Sequence, residues 1–177
     1  MKKLITILFV LPLCCYAQTF VSEQSNIRFY SSALIEDIEA INEKAKSVID
    51  LETGQIVFSV DIDGFQFAKS LMQEHFNENY LESEKYPKST FKGQIVNWSN
   101  KEGVQEVEVK GDLMIHGITK NVNLKGTIEV NKNSVKIESI FTVKLVDYKI
   151  KIPKAVFYNI AEEVEVTAKF TYKPHTN

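Results

Sequence analysis

Residues 103–130 read GVQEVEVKGDLMIHGITKNVNLKGTIEV, and through most of that stretch apolar and polar residues alternate one for one. Val107, Val109, Leu113 and Ile115 share a face across Gly111, and Val122, Leu124, Ile128 and Val130 repeat the pattern across Gly126. A repeat of two belongs to a strand with one apolar and one polar face. His116 and Gly117 separate the two runs, a break short enough for an antiparallel hairpin. Working outward, Val135, Ile137, Phe141, Val143 and Leu145 form a third stripe after the turn at Asn131 to Asn133. A fourth runs through Val164, Val166, Ala168, Phe170 and Tyr172. Upstream, Gln55 to Ile62 reads as another strand, with shorter ones at Ser89 to Val96 and Ile27 to Tyr30.

Two segments depart from this rhythm. Between Ile35 and Asp50, residues Ile35, Ile38, Ile41, Ala45, Val48 and Ile49 recur at helical spacing, with acidic residues early and Lys44 and Lys46 late, which predicts a helix. From about Lys69 to Tyr80, Leu71, Met72, His75, Phe76 and Tyr80 predict a second, and Pro87 bars its continuation. Seven or eight strands with one or two short helices predict an all-β fold, a single antiparallel eight-stranded barrel, because closure removes sheet edges.

The chain has 177 residues, 44% hydrophobic and 25% charged, which fits one globular domain and excludes a disordered polymer. Its 21 basic and 23 acidic residues nearly balance, so nothing points to nucleic acid. Residues 1–17 read as a secretory leader: Lys2 and Lys3, then an apolar run from Leu4 to Leu13, then Ala17 as a small residue before the cleavage point. The run is about ten residues, half of what a membrane span needs. Lipoprotein processing at Cys14 or Cys15 is the competing reading, but Leu13 and Cys14 are not the small residues such sites favour. Cleavage after Ala17 would leave 160 residues at 18–177 and, without Lys2 and Lys3, 19 basic against 23 acidic residues. Both cysteines would be lost, and with them any disulfide or thiol nucleophile.

Candidate chemistry is sparse. His75, His116 and His175 have no spacing that would gather them on one helical face, so no zinc site is expected. His116 reads as a turn residue. Asp61, Asp63 and Gly64 resemble the start of a calcium loop, but its glycine comes two positions early and Met72 stands where a glutamate is required. There is no Gly-x-Ser-x-Gly elbow and no phosphate-cradling loop. Lys144, Lys149, Lys151 and Lys154 cluster near the last strands, as a solvated face or as a docking rim for anionic groups. Asn97-Trp98-Ser99 matches a glycosylation sequon, with Trp98 expected to pack over a barrel end. The aromatic residues, 11 Phe, 7 Tyr and 1 Trp, are spread over nearly every element. They serve either as core or as the wall of an apolar tunnel, in which each buried methylene of a ligand gains about 0.8 kcal/mol.

Met72 to Gly93, MQEHFNENYLESEKYPKSTFKG, together with Gly111 to Val122, GDLMIHGITKNV, resembles the YceI family of secreted lipocalin-like proteins. The likeness rests on His75-Phe76, Tyr86-Pro87, Phe91 and a Gly-x-Leu-x-Ile-x-Gly-x-Thr-Lys hairpin from Gly111 to Lys120, with Asp147-Tyr148 resembling the family's Asp-Phe position. Phe20 to Ile27, FVSEQSNI, departs from the family's Trp-x-x-Asp-x-x-His-Ser opening. The resemblance implies a lipocalin-like barrel, periplasmic or secreted, with an amphiphile of polyisoprenoid, isoprenoid quinone or fatty-acid type in its lumen. The expected function is a non-enzymatic carrier or storage protein with no resident cofactor. Phe58, Phe76, Phe91, Leu113, Ile115, Phe141 and Phe170 are the expected lining, and His75 the expected tunnel mouth. The expected partner is that lipid, with a homodimer as the protein partner considered and no stable membrane insertion after leader cleavage. The alternative is a side-chain-filled barrel acting through its surface as an envelope stress or assembly factor. A lipid-modifying enzyme ranks third.

Overall fold

The alternating stretches form the long strands of the protein, described here by a computed structural model over residues 19–32, 37–152 and 161–175. The leader and Lys154 lie outside the described residues. The elements in order are β1 (Thr19–Ser31), β2 (Ile38–Asn42), β3 (Lys46–Asp50), β4 (Gln55–Asp61), β5 (Gln66–Phe67), α1 (Ser70–His75), β6 (Lys88–Ile95), β7 (Gly103–Ile115), β8 (Ile118–Asn131), β9 (Ser134–Lys144) and β10 (Glu163–Pro174). Short 3-10 turns cover Ile62–Gly64 and Leu145–Tyr148, and a π-helical turn, Phe76–Tyr80, continues α1.

Every pairing is antiparallel, and sequential strands are mostly neighbours, as short connections require. The order β10-β9-β8-β7-β6-β4-β3-β1 closes on itself through β1–β10, giving an eight-stranded barrel. The two remaining strands, β2 and β5, extend the sheet beside β1, whose edge is shared: residues 19–21 pair with β3 and residues 27–31 with β2. One end of the barrel carries the β7–β8 turn, α1 and the Leu145–Tyr148 turn and is called the lid end. The other, with the β8–β9 turn and Trp98, is the base.

The helix expected over Ile35 to Asp50 is not formed: β2 and β3 occupy that stretch, and residues 33–36 are outside the described residues. The apparent helical spacing arises because two short strands meet at a turn that resets the alternation. Ala40 and Asn42 are buried on β2, Ser47 and Ile49 on β3. Asn42 builds the turn, its side-chain amide donating to the Asp61 carbonyl at 2.8 Å and its oxygen accepting from the Lys44 amide at 2.8 Å. Such side-chain to backbone bonds compete with helix, and β-branched Ile38, Ile41, Val48 and Ile49 suit strands. The second expected helix is present but short, since α1 gives way to the π turn and then to Glu82 at φ 45°.

The base is filled by side chains. Phe20, Ile49, Val130, Val135 and Tyr172 are each at most 5% exposed. The Tyr172 hydroxyl meets Ser47 Oγ at 2.7 Å, and Ser47 donates to the Val57 carbonyl at 2.9 Å, so the buried polar atoms there are paired. Trp98 packs against this core and donates its indole N–H to the Leu51 carbonyl at 2.7 Å, covering the base as its position in the sequence suggests.

Candidate functional site

Toward the lid end the inward stripes stop meeting in the middle. They enclose a cavity of about 410 Å³, within the roughly 300–1,000 Å³ of small-molecule sites. All seven of Phe58, Phe76, Phe91, Leu113, Ile115, Phe141 and Phe170 border it, as does His75.

Two aromatic groups shape its walls. On one side Phe58 and Phe91, opposite each other on β4 and β6, lie 5.8 Å apart between ring centres, and Phe58 reaches Phe170 of β10 at 4.8 Å. Space for Phe91 comes from two facing glycines, Gly93 of β6 and Gly111 of β7. A Cβ at Gly111 would lie 2.8 Å from the Phe91 ring and 2.3 Å from the Lys92 carbonyl, so only glycine fits that crossing. On the lid side Phe76 stacks on Phe29 at 5.3 Å and 17°, with Phe65 at 5.5 Å and Phe67 at 5.0 Å. Phe76 also touches a second apolar cluster of Ile62, Leu81, Val143, Tyr148 and Ile150, around which Leu113, Ile115 and Phe141 pack.

Phe29 was not legible as lining. Its signal is the alternation of Ile27, Phe29 and Ser31 along β1, all three of which border the cavity. Phe65 and Phe67 enter because the Ile62–Gly64 turn swings the chain back across the lid end to form β5.

The lid is held by polar contacts outside the cavity. His116, in the β7–β8 turn at φ 51°, places Nδ1 3.1 Å from the Tyr148 carbonyl and Nε2 2.7 Å from Glu82 Oε2. Each ring nitrogen thus faces a hydrogen-bond acceptor. Tyr86 meets the imidazole edge-on at 4.5 Å. The hydrogen bond from His116 holds the Glu82 carboxyl below its ordinary range, with Lys85 adding to the effect. His116 is therefore a turn residue, as expected, and also the tie between lid and barrel.

The lining offers little for catalysis. No carboxylate borders the cavity among the described residues, and the charged or titratable side chains that do are His75, Tyr80 and Lys125. Burial raises the Tyr80 phenol above its ordinary range. His75 is exposed at the end of α1. Among the described residues no three His, Cys, Asp or Glu side chains gather as a metal site would require, and no helix is long and apolar enough to cross a membrane. Of the clustered lysines, Lys144 pairs with Glu163 at 2.9 Å, and Lys149 and Lys151 are exposed.

Residues 19–172 match the family model for the YceI-like domain. Among solved structures, a polyisoprenoid-binding domain from Saccharophagus degradans, implicated in plant cell wall breakdown, superposes with a TM-score of 0.76 at 13% identity, over 90% of this chain and 99% of that one. BcnA of Burkholderia cenocepacia gives 0.71 at 17% identity, over 83% and 95% of the two chains. A Campylobacter jejuni YceI protein gives 0.59 at 12% identity, over 99% and 94%. At such identities the likeness is one of fold. No protein in the curated set matches the sequence.

Proposed function

The chain belongs to the YceI-like family, and from that membership we propose that it is a non-enzymatic carrier or storage protein for an amphiphilic lipid. The observation that carries this reading is the apolar cavity of about 410 Å³, bordered by rings from β1, β4, β6, β9, β10 and the lid. A chain-like tail gains about 0.8 kcal/mol for each methylene it buries, less the costs of ordering and association. Affinity of that kind needs no metal and no catalytic group.

The polyisoprenoid-binding name of the Saccharophagus domain supports a long, flexible apolar tail. Polyisoprenoids, isoprenoid quinones and fatty-acyl lipids all supply one. In this reading Phe58, Phe91 and Phe170 contact the deep part of the tail, while Phe76, Leu113, Ile115 and Phe141 contact the part nearer the lid. Work on a lipid between membranes fits export to the periplasm or beyond under the leader at residues 1–17.

Native mass spectrometry of the protein recovered from an exporting host, followed by organic extraction, tests the proposal. A one-to-one adduct of defined lipid mass is expected. A bare protein that stays bare after incubation with quinones and fatty acids would refute the carrier role and favour a barrel that acts through its surface.

A further inference from the structure

Most neighbouring strands of the ring pair over most of their length, but β8 and β9 do so only from Gly126–Ser139 to Asn131–Ser134. Toward the lid end, residues 118–125 of β8 stay on β7 and residues 140–144 of β9 stay on β10. At the last shared rung the backbones are pressed together, and a Cβ on Gly126 would stand 2.5 Å from the Glu138 carbonyl oxygen. Just beyond it the Lys125 carbonyl accepts from the Ser139 hydroxyl at 2.7 Å, where a continuing ladder would supply a backbone amide. The Leu145–Tyr148 turn packs on both strands and bounds the parted region above. The wall therefore has a side window, and the lumen reaches it, because Lys125, Gly126 and Ser139 all border the cavity.

The window has an apolar flank and a cationic sill. Leu124 and Phe141, which would face each other had the register continued, border the cavity on its two sides, and neighbouring Ile140 is 56% exposed. Lys125 stands across the ladder from Glu108, but Asn123 hydrogen-bonds the Glu108 carboxylate. Lys125 takes part in none of the ion pairs among the described residues. Since the N–H and C=O of one residue point to the same side of an antiparallel strand, the Lys125 amide also faces the gap.

We propose that the head group of the bound amphiphile sits at this window, away from the barrel end beside His75, and that it is anionic, in its simplest form a carboxylate. The Lys125 ammonium and the neighbouring backbone amide hold the head, and the tail runs inward past Leu124 and Phe141. This assignment rests on the lipid-carrier reading above.

The test uses a dansyl-labelled fatty acid and its methyl ester, which share a tail and differ in charge, in fluorescence titrations of the full chain. Lys125→Glu is expected to weaken the acid by about tenfold or more, as loss of a charge-assisted hydrogen bond does. The ester should change by less than about twofold, and Lys125→Arg should retain acid binding. Acid binding that ignores Lys125→Glu, or that falls with His75→Gln instead, overturns the window while leaving the carrier reading intact. Failure of the unaltered protein to bind either probe overturns both. Circular dichroism of each variant separates lost binding from lost fold.

Discussion

The two ends of this barrel are made from the same eight strands and do opposite things. At the base, inward residues meet and interlock: Ile49, Val135 and Tyr172 are essentially inaccessible. At the lid end, Phe29, Leu113, Ile115 and Phe141 sit on the continuation of the same stripes and Phe76 joins them from the π turn, yet each stays partly exposed around a void. Alternation decides which residues point inward, whereas the partners across the ring decide whether they touch. A closed base supplies the packing that lets the lid end remain hollow.

The contrast predicts unequal responses to truncation. Tyr172→Ala at the base should cost about 3–5 kcal/mol, the usual loss for a large buried ring, read from urea unfolding. Phe141→Ala at the lid end should cost less than half of that. Equal losses would show the lid end to be as tightly packed as the base.

Filling is the next test. Leu113→Trp borders the void, and it should abolish lipid uptake while shifting stability by less than about 1 kcal/mol. In a filled core the same change costs about 1–3 kcal/mol, so calorimetry beside a binding assay distinguishes the two. A smaller effect belongs to the base: Tyr172→Phe removes the hydroxyl that meets Ser47, and about 1 kcal/mol should follow in thermal melts. Ser47 keeps its bond to the Val57 carbonyl, which limits the loss.

The smallest effect concerns the lid tie. Because the Glu82 carboxyl titrates below its ordinary range in the folded protein, its contribution is present above the unfolded carboxylate value. It is lost as pH falls through the folded one. Melting temperatures of the protein and of Glu82→Gln should differ near neutrality and converge in acid. A gap that persists in acid would assign the effect to something other than this ionisation.

The long strands were legible because β7 to β10 carry one-face alternation for more than ten residues at a time, and no other regular structure accommodates it. The segment before Asp50 was not, because its apolar residues belong to two strands joined by a turn that Asn42 organises through Asp61, far away in sequence. Phe58, Phe91 and Phe170 could be placed inward by parity alone. The cluster of Phe29, Phe65 and Phe67 needs the fold-back into β5, a tertiary event. The window was hidden for the opposite reason: the alternation of Leu124, Gly126 and Ile128 reads straight through the point where β8 and β9 part, since spacing along a strand does not record which neighbour it keeps.

The seam between β1 and β10 joins Phe20 to Pro174 and Tyr30 to Glu165. On that edge β1 therefore has no partner until β10 is in place. The β7–β8 and β8–β9 hairpins are local and can form early, but barrel closure waits for the β1–β10 pairing, as long-range pairings do in slow-folding β-proteins. During that interval two unpaired edges are exposed to other chains. Loss of β10 would leave the edges of β1 and β9 so permanently.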